Sequence, residues 1–251
     1  MIQKLYFLQM GYCGLDQSAL NGNLPTGKIM YVPVWSFLLE TSDGPILIDT
    51  GMPDSFVNQP NYYAGTRREG KLIPDMQPQH TMPETLKRLG YSIKDIQAVI
   101  SSHLHLDHAG GNHHFQDVPI YVQRAEYHEA IHNEDYSPIE CREPNLNYHL
   151  LDGDYEVAPG IQLLSTPGHS AGHQSVLLNT EKSGSILLTV DVSYTRDNFE
   201  RGIPFAVKDA QQNQQAIQRL QQVIQDKQPQ IVFFGHDIEQ AKHQQVYPSF
   251  F

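Results

Sequence analysis

The chain has 251 residues, of which 39% are hydrophobic, and its 17 basic and 28 acidic side chains give a formal net charge of −11. Because phosphate backbones are bound by clustered positive charge, this acidic balance without a basic run argues against nucleic acid as a partner. The length is sufficient to bury one sizeable core, so a single domain over residues 1–251 is predicted.

Apolar runs bounded by Gly, Pro and Asp predict a series of β-strands along the chain. In chain order these strands are Gln3–Gln9, Val34–Thr41, Pro45–Asp49, Ala98–Ser101, Ile120–Gln123, Ile161–Ser165, Gln174–Asn179, Ser185–Val190 and Gln230–Phe234.

Three segments predict helices. Met82–Leu89 follows Thr81, with a glutamate at the third position after it in the spacing of a capping box. Arg124–His132 is a second helix, and Ala210–Gln225 is a third that Asp209 can cap. Strands separated by helices, with hairpin-like stretches between them, indicate an α/β or α+β layered fold.

Two segments show similar patterns of turn, apolar strand and aspartate. They are GPILIDTG (Gly44–Gly51) and GSILLTVDVS (Gly184–Ser193), and each is followed later by a strand that leads into a histidine. This similarity fits either a repeat of two halves that share one site, or a coincidence.

The proline-rich stretch 52–79 has no regular apolar pattern, and it contains Phe56, Tyr62 and Tyr63. Structureless stretches of this length in a compact domain are usually functional or disordered. The aromatic residues favour the first, so an ordered excursion over the active-site side is predicted.

Cysteine content and hydropathy bear on the cellular compartment. Cys13 and Cys141 lack CxxC spacing and are too few for a disulfide framework. The N-terminal segment is typical of a strand rather than of a signal peptide, and no window approaches the roughly 18–20 apolar residues of a membrane span. We therefore expect a cytoplasmic protein with no membrane segment, either a monomer or a homodimer.

The segment SSHLHLDHAGG, Ser101–Gly111, places three histidines and an aspartate in six consecutive positions after a predicted strand. Residues two apart in an extended segment point the same way, so His103 and His105 are expected to face one metal ion. Asp107 and His108 lie on the turn that follows and point elsewhere, which suggests a second ion. Solvated surface histidines are the alternative, but the alternation at a strand end favours metal binding.

Further ligands are expected from other strand ends, because sites in layered α/β folds collect loops at one edge of the sheet. His169 follows an apolar strand and a Pro-Gly turn, and His236 follows VFFG. Asp191 ends a buried strand, where an unpaired carboxylate would be costly, so ligation is favoured over a turn-forming role. His113 and His114 are expected to lie past the site on a helix face.

This order of residues resembles the metallo-β-lactamase superfamily, whose members share a four-layer αββα sandwich. The resemblance extends from the DTG at Asp49–Gly51 to the last histidine-bearing strand. Within the superfamily, HLHLDHAGGN, TPGHSAGHQS, DVSYT and FFGHDIEQ are most similar to the N-acyl homoserine lactonases of the Bacillus autoinducer-inactivating type.

The resemblance implies a site with two divalent metal ions. One ion would be held by His103, His105 and His169, the other by Asp107, His108 and His236, and Asp191 would bridge both. Nitrogen and carboxylate donors without thiolate suit zinc, and also iron, cobalt or manganese. Flavodiiron members of the superfamily have a carboxylate in place of His105, which counts against an oxygen-reducing iron centre.

The implied reaction is hydrolysis of the lactone ring of N-acyl homoserine lactones, a quorum-quenching activity, by a hydroxide that bridges the metals. Asp107 would pass the proton of the nucleophile to the leaving alkoxide. Tyr194 would donate a hydrogen bond to the carbonyl oxygen, the alternative being a tyrosine packed in the core. Asp49 would orient a ligating imidazole, and His173 is expected to be structural.

The acyl chain of this small-molecule substrate requires an apolar groove. Its candidate segments are Met10–Leu20, Tyr62–Tyr63 and Phe205–Val207, and the candidate side chains are Tyr63, Phe205 and Val207. The sequence departs from the family at Arg67, where an aromatic is expected, and at Val207, which replaces a glycine whose backbone contacts the substrate amide. Acyl-chain preference is therefore not carried over.

Three other functions fit part of the pattern. A thioester hydrolase of the glyoxalase II type shares the seven-ligand set, although the acidic balance weakly opposes binding of glutathione carboxylates. Another esterase or phosphodiesterase of the same fold would also fit. A non-catalytic metal-binding protein fits less well, because closed structural zinc sites use four ligands.

Overall fold

The structure, a computed structural model, describes residues 1–66, 69, 72–133, 137, 139–142, 145–181 and 183–251. The strands β1 to β12 are Ile2–Asp16, Ile29–Thr41, Gly44–Ile48, Ile73–Asp75, Ala98–Ile100, Ile120–Gln123, Tyr148–Leu151, Tyr155–Ala158, Ile161–Ser165, Gln174–Thr180, Gly184–Val190 and Ile231–Phe234. The helices α1 to α7 are Gln17–Leu20, Met82–Arg88, Leu106–Ala109, Arg124–His132, Arg196–Arg201, Ala210–Lys227 and Ile238–His243.

In the described part of the chain, twelve strands form one connected mixed sheet. Its order is β12-β11-β10-β1-β2-β3-β5-β6-β7, with β4 paired to β1, and with β9 joining β8 to β10. Residues Ile2–Asp16 and Ile29–Thr41 form the long antiparallel pair β1–β2 near its middle.

The alternation of side chains shows that the sheet forms two packed halves. Ile186 and Leu188 of β11 belong to a buried cluster that also contains Phe37 of β2 and Ile48 of β3, on the other half. Because successive residues of a strand face opposite sides, Leu187 faces away from this cluster. The shared cluster is therefore the core between the two halves.

Helices cover the outer face of each half. Leu187 packs with Ile217 and Leu220 of α6, whereas Leu47 of β3 lies in the cluster that includes Leu86 of α2. Helix, sheet, sheet and helix follow one another, which is the αββα sandwich that the sequence implied.

The same strand arrangement occurs twice. β2 is antiparallel to β3, which is parallel to β5, and β10 is antiparallel to β11, which is parallel to β12. The backbone adopts positive φ at both corresponding strand ends, 58° at Asp49 and 51° at Val190. This arrangement supports the interpretation of two similar halves, and it brings residues after β3, β5, β11 and β12 to one edge.

The structure differs from the sequence prediction at one helix cap and at three strands, and it agrees with the prediction at a second cap. Thr81 precedes α2, but its hydroxyl donates to the carbonyl of Pro78 (3.0 Å) instead of capping the helix, so the predicted capping box is wrong. Asp209 does cap α6, accepting from the backbone N–H groups of Gln211 and Gln212 (both 3.0 Å). The sequence missed β4, β7 and β8, and β4 lies within the stretch predicted to be irregular.

Among the described residues, no helix has both the length and the apolar character needed to cross a membrane.

Candidate active site

The histidine-rich segment after β5 places its first two imidazoles side by side. Nε2 of His103 lies 3.1 Å from Nδ1 of His105, and the same nitrogen of His105 lies 3.1 Å from Nε2 of His169. These three residues offer ligand atoms within 4.8 Å of one another. The structure therefore brings together the three residues predicted for one metal ion.

Asp107 and His108 lie on α3, a short helix, and not on the turn expected from the sequence. Oδ2 of Asp107 is 3.7 Å from Nε2 of His108 and 3.6 Å from Nε2 of His236. Ligand atoms of these three residues also lie within 4.8 Å of one another. They form the second predicted group.

Asp191 lies between the two groups. Its Oδ2 is 3.8 Å from Nε2 of His103 and 3.4 Å from Nε2 of His169 in the first group. The same oxygen is 3.4 Å from Nε2 of His108 and 3.2 Å from Nε2 of His236 in the second group. This is the position that a bridging carboxylate would occupy.

The protonation states of His103 and His169 suit metal binding. Burial lowers the pKa of His103 and of His169 well below the usual histidine value, so both imidazoles are neutral, the form that binds metals. Burial alone would raise the pKa of Asp191, but the charges of His236 and His108 outweigh it and hold that pKa well below its usual value.

For three of the imidazoles, contacts at Nδ1 indicate which nitrogen points into the cluster. Nδ1 of His108 donates to Oδ2 of Asp49 (2.8 Å), and Nδ1 of His236 donates to the carbonyl of Pro33 (2.9 Å). The hydroxyl of Ser102 lies 3.0 Å from Nδ1 of His103. Ligating histidines are usually held in this way, so the arrangement leaves Nε2 of His103, His108 and His236 for a ligand. Asp49 makes the contact expected of it.

His173 is not one of the grouped side chains. Its Nε2 accepts a hydrogen bond from the backbone N–H of Asp191 (3.0 Å), and its Nδ1 lies 2.9 Å from the hydroxyl of Thr166. Burial lowers the pKa of His173 to about 3. This imidazole therefore holds the backbone at Asp191.

Sequence reasoning missed Glu126 of α4, which is fully buried. Its carboxylate accepts from the N–H of Leu104 (2.8 Å), the hydroxyl of Ser170 (2.7 Å) and the N–H of Gly172 (2.7 Å). It thereby ties the segment of His103 and His105 to the segment of His169. A Cβ at Gly172 would lie 2.5 Å from the backbone nitrogen of Glu126, so this contact requires glycine.

Tyr194 lies against both groups of ligands. Its ring centroid is 5.5 Å from that of His169 and 5.0 Å from that of His236, and its carbonyl accepts from the N–H of His236 (2.9 Å). Burial, together with the charges of nearby Asp191 and Asp107, raises the pKa of Tyr194 well above its usual value. The phenol is therefore protonated and able to donate.

Of the predicted groove residues, Phe205 lies against this tyrosine, with ring centroids 5.1 Å apart. Tyr63 and Phe205 both pack against the hydrophobic cluster that contains Tyr194. Val207 is half-buried, and the N–H of the next residue, Lys208, donates to the carbonyl of His169 (3.1 Å). Arg67 lies outside the described residues.

A cavity of about 870 Å³ lies behind His236, between α5 and α7. Of the seven clustered side chains it contacts only His236. Its lining does not include Tyr194 or the predicted groove residues Tyr63, Phe205 and Val207, so this cavity is separate from the predicted groove.

The cluster fits divalent metal ions. Five imidazoles and two carboxylates converge in it, and within the described residues Nε2 of His108 and Oδ1 of Asp191 are buried without a hydrogen-bond partner. Buried polar atoms of this kind are costly unless a partner or a cation satisfies them. The donors, nitrogen and carboxylate oxygen, are those of zinc and related ions.

Comparisons with known proteins agree with this chemistry. The family model of the metallo-beta-lactamase superfamily matches residues 30–236. The chain is 52% identical to the N-acyl homoserine lactonase of Bacillus cereus over 249 residues, which cover 99% of each chain.

Two solved structures superpose on the whole chain with a TM-score of 0.97 and 51% identity, covering 100% of each chain. One is an N-acyl homoserine lactone hydrolase with the product N-hexanoyl-L-homoserine bound at its catalytic metal centre. The other is a variant of AiiA from B. thuringiensis with N-decanoyl-L-homoserine bound at the active site.

Proposed function

Because the chain belongs to the metallo-β-lactamase superfamily, we propose that it is a metal-dependent hydrolase that opens the lactone ring of N-acyl homoserine lactones, a quorum-quenching reaction. One observation carries this proposal: seven ligand-type side chains converge beside a protonated, buried tyrosine in a chain that is similar to lactonases over its whole length.

Within this proposal, His103, His105 and His169 would hold one metal ion, Asp107, His108 and His236 would hold the other, and Asp191 would bridge them. The convergence of the two groups on Oδ2 of Asp191 supports the assignment. We take the ions to be zinc, which the nitrogen and carboxylate donors suit. When bound, such ions lower the pKa of water toward neutrality and polarise a carbonyl oxygen.

Asp107 is the residue suited to move the proton. Its side chain is 12% exposed and that of Asp191 is 3% exposed, so Asp107 is the one that substrate can reach. The carboxylate of Asp107 accepts a proton from the attacking water. The water oxygen bonds to the carbonyl carbon, the ring C–O bond breaks, and Asp107 returns the proton to the leaving oxygen.

Tyr194 donates its phenolic hydrogen to the carbonyl oxygen as negative charge develops there. Its position against His169 and His236 places it beside both groups of ligands. The acyl chain then extends over Phe205, Tyr63 and Val207. The contact between Phe205 and Tyr194 supports this direction, because it joins the apolar residues to the reacting end.

The wider assignments remain part of the proposal. A single domain, monomeric or dimeric, that takes a small-molecule substrate and not nucleic acid suits the net charge of −11. A cytoplasmic location suits the two buried cysteines, which form no disulfide.

Proton release from N-acyl homoserine lactones tests the activity. Purified protein should release one proton for each ring opened with short and long acyl chains, and a chelator should abolish the release. No chelator-sensitive ring opening with any chain length, or preferential hydrolysis of glutathione thioesters, would overturn the lactonase assignment.

The Asp107→Asn variant tests the proton transfer. It should retain much of its metal while kcat falls about 10²–10⁴-fold, the usual contribution of a general acid–base group. Metal content measured alongside turnover separates this role from simple loss of a ligand. Unchanged turnover in Asp107→Asn would exclude Asp107 as the proton carrier.

A further inference from the structure

A separate group of metal-binding side chains lies outside the seven-residue cluster. It joins the 3-10 helix Asp54–Phe56 to the 3-10 helix Asn112–His114. Asp54, His113 and His114 each offer a ligand atom within 4.8 Å of the others. Nε2 of His114 is 2.9 Å from Oδ2 of Asp54, and the rings of the two histidines have centroids 3.9 Å apart.

The hydrogen bond of His113 leaves one of its nitrogens available for a metal. Its Nδ1 donates to the carbonyl of Gly110 (3.1 Å), so the lone pair is on Nε2. Metal-ligating histidines are commonly held in this way, with the other ring nitrogen donating to a backbone carbonyl.

Asp54 supplies an independent observation. Its Oδ2 is engaged with His114, whereas its Oδ1 is buried and has no hydrogen-bond partner among the described residues. A buried carboxylate oxygen without a donor is costly, and a cation would satisfy it. An ordinary ion pair between Asp54 and His114 accounts for Oδ2 alone.

We propose that Asp54, His113 and His114 form an additional metal site that binds a divalent ion of the zinc class, with water completing its coordination. Two imidazoles and one carboxylate are a donor set that zinc accepts in open sites. The side chains of Asp54 and His114 are 39% and 20% exposed, so an ion can enter from solvent.

An ion bound here would connect two parts of the protein. Asp54 lies near the start of the excursion, in which the ring of Phe56 packs on those of Tyr62 and Tyr63, with centroids 4.7 Å and 5.7 Å apart. His113 and His114 follow closely after α3, which carries Asp107 and His108. The site would thus fasten the start of the excursion to the loop that follows α3.

Zinc stoichiometry tests the proposal. Wild-type protein, a His113→Ala/His114→Ala variant and a His128→Ala/His132→Ala control are dialysed against buffered free Zn²⁺, and zinc per chain is measured by mass spectrometry. The control histidines are exposed on α4. Wild type and control should bind one more equivalent of zinc than the His113/His114 variant.

The result does not depend on the lactonase proposal, because the readout is a difference between variants and not an activity. An Asp54→Asn variant preserves the size of the side chain. It should require at least tenfold more free zinc than the wild type to fill the additional site to the same extent. Equal zinc stoichiometry and equal affinity in all variants would overturn the additional site. So would an extra equivalent that survives removal of both histidines.

Discussion

Replacing Glu126 with alanine removes the carboxylate that joins the two segments carrying His103, His105 and His169. Glu126 is fully buried, and it accepts from the N–H groups of Leu104 and Gly172 at 2.8 Å and 2.7 Å. No new acceptor replaces it in Glu126→Ala, so both N–H groups lose their partner in the protein interior.

The expected loss in the free energy of unfolding follows from these two donors. A buried donor left unsatisfied costs about 1–3 kcal/mol, so the two N–H groups together lower the free energy of unfolding by about 2–6 kcal/mol. Because domains are stable by only about 5–15 kcal/mol, this is a large fraction of the total. Loss of a group that positions metal ligands also weakens metal binding by about 10–100-fold.

Urea unfolding in excess chelator measures the free energy of unfolding of the metal-free protein. Without chelator, metal bound to the folded state would add to the measured stability. Glu129→Ala is the matched control on the same helix, since Glu129 forms a surface ion pair with Lys208 worth less than about 1 kcal/mol. Glu126→Gln, which keeps one acceptor oxygen, should lie between them. Equal unfolding free energies and equal metal affinities for Glu126→Ala and the control would refute the reasoning.

Two further substitutions test the centre of the site. Tyr194→Phe should lower kcat/KM for lactone hydrolysis by about 10²–10³-fold, the effect of losing one well-placed hydrogen-bond donor. Tyr155→Phe, at an exposed position, should leave kcat/KM unchanged. An undiminished kcat/KM in Tyr194→Phe would remove Tyr194 from the mechanism. Gly235→Ala places a Cβ 2.2 Å from Oδ1 of Asp191 and should displace this carboxylate, lowering metal content. Normal metal content in Gly235→Ala, equal to that of a Gly22→Ala control, would contradict this expectation.

The sequence located the clustered side chains where they follow strands directly. The rings of His103 and His105 lie with centroids 4.6 Å apart after β5, and Asp191 and His236 follow apolar runs that form β11 and β12. Glu126 could not be found in this way, because its partners are mainly backbone groups that lie far along the chain. No contiguous motif records such contacts.

Two of the strands that the sequence missed, β4 and β8, lack the pattern on which prediction depends. β4 has only three residues and pairs at the edge of β1. β8, Tyr155–Ala158, is exposed to half-buried along its length and has no alternation of buried and exposed residues. Both depend on pairing with a neighbouring strand, and this pairing is a tertiary contact that local sequence does not specify.

The two similar halves of the fold place aspartates at corresponding strand ends and give them different tasks. Asp49, after β3, accepts from the N–H and the hydroxyl of Ser102 (both 2.7 Å) and from His108 (2.8 Å), so both of its oxygens are satisfied by protein donors. Asp191, after β11, has one oxygen without a partner among the described residues and the other among imidazoles of both groups. The residues around each strand end therefore determine the role of its aspartate. Asp49, whose hydrogen bonds are complete, orients the imidazole of His108. Asp191, which has one oxygen without a partner among the described residues, is available to a cation.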